Sequence, residues 1–224
     1  MKVPGKGWEY MVYDALDRPV LVQDAVQRTR GEWAFTKYDA FGRVAYTGIF
    51  SHPTPGRVFW QNYASSVNHQ YEVRVNPGVV RRGTLIYYTS RAFPNDFKQI
   101  NTIYYYDDYA FDRAGLSVPT TVYGIATTTN VKSMATGVKE RVLIAGTEKW
   151  ITVFTGYDDK ARPVYTANKN EYLNTTDTGR SKLDFSGRVL ETTLHHTSNT
   201  TVSIVESFTY DHAFRLANRN NYLK

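Results

Sequence analysis

The sequence has no cysteine and no long apolar segment, and each absence excludes a class of protein. Without cysteine, the 224-residue chain forms no disulfide and carries no Cys-ligated zinc or iron–sulfur cluster. No run of about 18 consecutive apolar residues occurs, so we expect no membrane-spanning helix. The first eight residues also lack the apolar stretch of a signal peptide, so none is expected there.

Helical patterns and catalytic motifs are scarce as well. The best helix candidate is short and covers residues 57–67. No P-loop, dinucleotide-binding glycine pattern or nucleophile elbow occurs. The histidines lack metal-ligand spacing, and His195 and His196 would point to opposite faces of a strand. We therefore expect no enzymatic activity, no catalytic residue, no cofactor and no metal, and glycoside hydrolysis by paired carboxylates has little support.

The residues that are abundant favour β-structure. The chain contains 18 Tyr, 11 Phe and 4 Trp, and short alternating runs of Val, Thr, Tyr, Phe and Ile recur along it. Such runs are typical of half-buried strands and predict an all-β protein. The 27 Lys and Arg exceed the 21 Asp and Glu, but the positive charge is scattered and is typical of an ordinary basic surface.

One motif repeats along the chain: Tyr-Asp, two variable residues, a small or turn residue, Arg, and then an apolar strand. It is complete at residues 38–43, and in the copy at 183–188 Leu183 replaces the Tyr. Consecutive copies lie 25 to 27 residues apart where they follow each other directly. The motif residues are Tyr13, Asp14, Arg18, Tyr38, Asp39, Gly42, Arg43, Tyr157, Asp158, Arg162, Asp184, Gly187, Arg188, Tyr210, Asp211 and Arg215.

The spacing of the copies predicts the domain organisation. A partial copy begins at Tyr106, and its 51-residue distance from Tyr157 suggests a further, degenerate copy near residues 131–139. We expect repeat hairpins at 1–50, an irregular aromatic and basic insert at 51–103, and repeat hairpins at 104–224. Because one short hairpin cannot bury its own apolar face, successive hairpins are expected to stack into one antiparallel sheet and one continuous repeat domain.

The motif suits a β-hairpin built on a type I turn. The Asp can accept hydrogen bonds from the backbone that follows it, and a glycine at the last turn position adopts a positive φ without strain. Gly42 and Gly187 meet that requirement and Asp17 tolerates it, whereas Ala161 and Phe214 predict turns that differ or are strained. The Arg is expected to be structural, reaching an Asp of its own or a neighbouring turn and lying over a Tyr ring.

This repeated Tyr-Asp-x-x-Gly-Arg motif resembles the signature of YD-repeat proteins, the Rhs family, in particular its Bacteroidetes type. The resemblance covers residues 8–50 and 100–220. It implies a long antiparallel sheet that winds into a hollow shell, similar to toxin-complex and teneurin shells, around a C-terminal toxin or another variable domain. The family's aspartate autoprotease segment and toxin domain are not recognisable, and about eight periods are too few to close a shell. The chain thus looks like a segment of a curved Rhs-type shell.

The resemblance also implies a function. It predicts a non-enzymatic structural segment that encloses or presents another polypeptide in a secreted or cell-surface bacterial protein. The expected partners are other segments of a larger Rhs polypeptide or its cargo, with a secretion-system component or a surface glycan as further possibilities. Nucleic acid is not an expected partner.

The insert supports an alternative function. Arg74, Arg81, Arg82 and Arg91 lie among several Tyr and Phe residues there. Interleaved basic and aromatic side chains can bind glycans or single-stranded nucleic acid, although aromatic-rich sheets have the same composition without a ligand. The alternative is a carbohydrate- or protein-binding surface module. The pairs Asp107-Asp108 and Asp158-Asp159 raise the possibility of cation binding, but turn capping explains them better.

Overall fold

The computed structural model describes residues 7–54, 56–144 and 146–223. Strands contain 52% of the residues and helices 7%, so the expected all-β class is confirmed. The strands are β1 (Tyr10–Tyr13), β2 (Pro19–Gln23), β3 (Glu32–Tyr38), β4 (Val44–Ser51), β5 (Arg74–Arg81), β6 (Thr84–Tyr88), β7 (Gln99–Tyr106), β8 (Thr121–Val122), β9 (Ile125–Ala126), β10 (Ala135–Arg141), β11 (Trp150–Tyr157), β12 (Pro163–Asn170), β13 (Thr175–Leu183), β14 (Val189–Thr197), β15 (Thr201–Tyr210) and β16 (Leu216–Leu223). The helices are α1 (Ala25–Arg30) and α2 (Arg57–Ser66).

The chain divides into two compact units, Met1–Tyr104 and Tyr105–Lys224, with the division inside β7. In the first unit the strands lie in the order β1, β2, β3, β4, β7, and each pair is antiparallel. The connection from β4 to β7 contains α2 and a separate hairpin, β5–β6. Helix α2 coincides with the helix predicted at residues 57–67.

The core of the first unit is aromatic. Alternate residues of β3 place Trp33, Phe35 and Lys37 on one face of the sheet, and all three are buried. Aromatic side chains of the β4–β7 connection cover this face. The Phe97 ring lies 5.0 Å from that of Phe35, and the Tyr88 ring lies 6.2 Å from that of Tyr46 in β4. The insert thus supplies the other half of the hydrophobic core.

In the second unit, β10 to β16 pair antiparallel in sequence order. The expected strand pairs are present at all five turns in the two units: 14–17, 39–42, 158–161, 184–187 and 211–214. Residues 107–134 form a long excursion that contains the small β8–β9 hairpin. Its Phe111 ring stacks on that of Tyr105 at 4.2 Å and occupies the space above Gly137 in β10.

The degenerate copy expected near residues 131–139 is not a separate hairpin. The Asp107 N–H donates to the Met134 carbonyl at 3.1 Å, just as the motif Asp at each of the five turns donates to the carbonyl of its Arg. Ser133 has φ 66° and its N–H donates to Asp107 Oδ1 at 2.6 Å. Residues 131–139 therefore form the returning half of the copy that begins at Tyr106, with the excursion in place of its tight turn.

Burial falls sharply toward the end of the second unit. Phe154, Val164 and Ala167 in β11 and β12 are buried. In contrast, no described residue from 168 to 223 is buried, although these residues include the long strands β13 to β16. Backbone pairing and half-exposed side chains therefore hold the last two hairpins.

Candidate functional site

The five repeat turns, defined as the Asp-to-Arg segments of the motif copies, have one common geometry. Oδ1 of the Asp accepts the N–H groups two and four residues later, and Oδ2 accepts the Nε–H of the Arg. At Asp39, these three distances are 2.9, 2.9 and 2.7 Å. The same set recurs at Asp14, Asp158, Asp184 and Asp211, within 2.6–3.0 Å.

Backbone hydrogen bonds close each turn in the same way. The Asp N–H donates to the carbonyl of the Arg, and the residue before the Arg donates back to the carbonyl of the Asp, as in a hairpin with a type I turn. That residue has a positive φ in every copy. The values are 57° at Asp17, 78° at Gly42, 62° at Ala161, 95° at Gly187 and 63° at Phe214.

The sequence suggested that the turns at Ala161 and Phe214 would differ or be strained. They do not differ, because their hydrogen bonds match those of the glycine-containing copies. They are strained, because a residue with a Cβ occupies the left-handed region. Side-chain hydrogen bonds from the Asp and the Arg thus hold a backbone conformation that the residue itself disfavours.

Contacts between successive copies link the hairpins. Tyr38 donates its hydroxyl to the Pro19 carbonyl at 2.9 Å, and the Arg18 guanidinium lies 4.6 Å from the Tyr38 ring centre. Tyr210 and Arg188 repeat this arrangement. The Tyr210 hydroxyl donates to the Val189 carbonyl at 2.8 Å, and the Arg188 guanidinium lies 5.2 Å from the Tyr210 ring centre. Tyr38 and Tyr210 therefore each bond to the strand that leaves the preceding turn.

The copy without a Tyr uses a different contact between copies. Leu183 replaces the ring there, and the guanidinium of Arg162 in the preceding copy donates to the Asp184 carbonyl at 3.3 Å. The Arg can therefore link one turn to the next with or without an aromatic partner.

The carboxylates of the second-unit turns are electrostatically perturbed. The Arg215 backbone N–H lowers the pKa of Asp211 below its usual value, with the Arg215 side chain adding to the effect. Desolvation raises the pKa of Asp158, but hydrogen bonds from the Arg162 side chain and backbone outweigh it, and the net pKa is lowered. Both turns therefore favour the ionised carboxylate, which is the form that the Arg requires.

A buried ion pair fastens the insert to the sheet of the first unit. Lys37 Nζ lies 2.8 Å from Glu72 Oε1, both side chains are fully buried, and Nζ also donates to the Ala92 carbonyl at 2.9 Å. Glu72 further accepts the Arg91 and Ala92 N–H groups. Burial lowers the pKa of Lys37 to about 8, although Glu72 opposes this shift. This pair was not predicted from the sequence, where its signal is a Lys on the same strand face as Trp33 and Phe35.

The insert also forms an open aromatic cleft of about 560 Å³, named here the insert cleft. Trp60 and Phe93 form part of its lining, with ring planes 24° apart and centres 5.6 Å apart. Phe59 and Tyr63, which project from α2, are 49% and 43% exposed. Trp60 is buried, and its Nε1 has no hydrogen-bond partner among the described residues. Polar groups of Ser51, His52, Arg82, Asn95, Asp96 and Lys98 complete the lining.

The four arginines singled out in the sequence, Arg74, Arg81, Arg82 and Arg91, do not gather in this cleft. Only Arg82 lines it, in an exposed ion pair with Asp96. The Arg74 guanidinium lies over the Tyr88 ring at 5.1 Å, and the Arg91 backbone binds Glu72. The interleaved pattern in the sequence therefore corresponds to several separate contacts.

The remaining candidate residues have ordinary partners. His195 Nδ1 lies 2.6 Å from Ser203 Oγ, and His196 Nδ1 lies 2.5 Å from Asp177 Oδ1. Asp108 Oδ1 caps a turn by accepting the Ala110 N–H. Within residues 7–54, 56–144 and 146–223, no group of three or more His, Asp or Glu side chains is arranged to hold a metal ion. The same residues contain no helix that is long and apolar enough to cross a membrane.

No protein-family model and no curated protein matches the chain.

Proposed function

We propose that the chain is a non-enzymatic structural segment of a YD-repeat β-sheet of the Rhs kind, which encloses or presents another polypeptide in a secreted or cell-surface bacterial protein. The repeated turn supports the proposal, because five copies of one side-chain network follow the order of the hairpins. A binding site rarely needs five copies of one contact, whereas a stacked sheet needs one for each layer.

The observation that carries the proposal is the bare sheet surface of β13 to β16. Leu194 and Ile204 are paired across β14 and β15, and Val202 lies two residues from Ile204 on the same face. These side chains are 49%, 40% and 41% exposed. Exposed apolar side chains grouped on one face are a feature of surfaces that bind another polypeptide, and they support the proposal. The enclosed or presented chain would supply that cover.

Binding of an unfolded polypeptide tests this proposal. The probe is fluorescently labelled, reduced and carboxymethylated lactalbumin, and the readout is fluorescence anisotropy with the full chain. Ile204→Lys places a charge on the apolar face and should weaken binding about tenfold, which corresponds to about 1.4 kcal/mol. Thr201→Lys, an exposed position on the other face of β15, should leave binding unchanged. Equal binding by both variants and the parent would refute the proposal.

The proposed lack of enzymatic activity is tested separately. The full chain is screened against glycosidase and nuclease substrates, and no turnover is expected. Robust turnover that a single Asp or His substitution abolishes would contradict it.

The insert cleft supports a second candidate, a carbohydrate- or protein-binding surface. The favouring observation is the exposed pair Phe59 and Tyr63, whose stacked rings lie 6.3 Å apart beside polar cleft residues. Exposed aromatic faces with adjacent hydrogen-bonding groups suit sugar rings and peptide side chains. A glycan array with the parent chain and Phe59→Ala tests it: a glycan bound by the parent and lost in the variant supports the candidate. Phe41→Ala, which changes an exposed ring outside the cleft, is the control.

A further inference from the structure

Two exposed aromatic side chains of α2 lie nearly parallel in the lining of the insert cleft. Phe59 and Tyr63 are four residues apart, so they share one side of the helix and lie on successive turns. Their ring planes differ by 11°, and the ring centres are 6.3 Å apart. The helix thus presents two ring surfaces to a ligand at a defined spacing.

The buried Trp60 supports both rings. Its own ring lies 5.0 Å from that of Phe59 and 6.0 Å from that of Tyr63, with an interplanar angle of 86° to each. Phe50 and Phe93 pack on Trp60 in turn, at 5.0 and 5.6 Å, and both are buried. The spacing of the exposed pair is therefore set by packing before a ligand binds, which reduces the loss of affinity to ordering.

The polar part of the lining suits an uncharged ligand that accepts hydrogen bonds. Its two cations already have carboxylate partners, since Arg82 pairs with Asp96 and Lys98 Nζ lies 2.6 Å from Glu32 Oε1. An anionic ligand would have to compete with these carboxylates. Trp60 Nε1 is a donor without a partner among the described residues, and an indole N–H can only donate.

We infer that the insert cleft binds a proline-rich peptide in the polyproline II conformation. This conformation rises about 3.1 Å per residue, so two residues with one between them lie about 6.2 Å apart along the axis. The 6.3 Å between the rings of Phe59 and Tyr63 matches that distance. Prolines at these two positions can each rest on one ring, and aromatic-lined grooves are a common way to recognise such peptides.

The hydrogen-bonding character of the peptide matches the lining as well. Proline has no backbone N–H, and the carbonyls of a polyproline II helix have no partner within the peptide. The ligand therefore offers acceptors to the donors of Asn95 and of the other polar lining residues.

This inference rests on the second candidate function, binding at the insert cleft, and names its partner class. It is independent of polypeptide binding by the face of β13 to β16. A parent chain that binds a glycan lost in Phe59→Ala, but does not bind a proline-rich peptide, would keep the cleft as a binding surface and overturn only this inference.

Fluorescence anisotropy with the full chain and a fluorescein-labelled octaproline tests the inference. A labelled Gly-Ser peptide of equal length is the control ligand, because it has no preference for the polyproline II conformation. The parent should bind octaproline at least about tenfold more tightly than the control peptide. Equal binding of the two peptides, or no binding of either, would refute the inference.

Substitutions in α2 test where the peptide binds. Phe59→Ala and Tyr63→Ala should each raise the octaproline dissociation constant at least about fivefold, because each removes one ring surface. Val58→Ala changes a side chain of the same helix that is 70% exposed and outside the lining, and it should leave the constant within about twofold of the parent. Circular dichroism checks that all three variants fold. Octaproline binding that neither ring substitution weakens would place the peptide elsewhere and overturn the inference.

Discussion

Ala161 shows at the residue scale how a repeat tolerates an unsuitable side chain. Its φ of 62° lies in the left-handed region, which costs a residue with a Cβ roughly 1–2 kcal/mol. Glycine removes this strain but loses more backbone entropy on folding. Ala161→Gly should therefore raise the free energy of unfolding by about 0.5–1 kcal/mol in urea titrations.

Gly42→Ala is the reciprocal control. Its φ is 78°, and a Cβ built there meets no atom within 4 Å, so only backbone strain opposes the substitution. It should lower stability by about 0.5–1 kcal/mol. If both substitutions changed stability in the same direction, the left-handed conformation would not be the cause.

Tyr38 connects the complete motif copy at residues 38–43 to the copy before it in the chain. It is 9% exposed, its hydroxyl binds the Pro19 carbonyl and its ring carries the Arg18 guanidinium. Tyr38→Ala should lower the free energy of unfolding by about 3–5 kcal/mol and depress the melting temperature sharply. Phe41→Ala removes a ring that is 80% exposed in the same copy and should cost less than about 1 kcal/mol. Similar losses in both variants would show that the Tyr does not link the hairpins.

Asp158 makes the stability of the second unit depend on acid pH. Its folded pKa lies below the ordinary value of 3.8, so below about pH 4 the unfolded chain binds more protons than the folded one. Its contribution is therefore present above pH 4 and is lost as the pH falls through the folded pKa. Asp158→Asn should be less stable at pH 7 by about 1–3 kcal/mol and should lose less stability on acidification. Parallel pH curves for parent and variant in chemical denaturation would contradict this assignment.

The Lys37–Glu72 pair acts at the scale of elements, because it joins β3 to the insert. Removing either partner leaves a buried charge or its hydrogen-bonding groups unsatisfied, which typically costs about 3–5 kcal/mol. Lys37→Met and Glu72→Gln should each lower the free energy of unfolding by about 3–5 kcal/mol. The double variant should lose less stability than the two single variants lose together. A coupling energy below about 0.5 kcal/mol in the double-mutant cycle would mean that the two residues act independently.

Elements encoded by local signals could be predicted from the sequence, and those that depend on distant partners could not. The hairpins follow from the spacing of Tyr, Asp and Arg, and α2 follows from its own segment. Helix α1 was missed, although Asp24 and Gln27 form a capping box and Gly31 ends it at φ 64°. Its six residues are too few to show a helical period.

The contact of α2 with β1 and the buried ion pair could not be predicted from the sequence. Gln61 meets Tyr13 across 48 residues, and Lys37 meets Glu72 across 35. Neither pair has a fixed spacing or a motif, because each depends on how the insert packs on the sheet. The repeat could be found because its Asp and Arg are four residues apart in every copy.

At the scale of the whole chain, the uneven distribution of buried side chains predicts uneven stability. Residues 7–104 bury many large aromatic side chains, including Trp33, Tyr46 and Tyr88, whereas no described residue from 168 to 223 is buried. Local opening of a structure costs less free energy where few apolar contacts are buried, even when the backbone is paired in a sheet.

Hydrogen exchange followed by mass spectrometry should therefore show amides of β13 to β16 exchanging at least about tenfold faster than those of β3 and β4, although all are paired in long strands. Strand length cannot explain this difference, because β3 and β4 contain 7 and 8 residues and β13 and β14 contain 9 each. Uniform protection of all these strands at low concentration would show that backbone pairing alone stabilises the last hairpins, and burial would then not be the determinant.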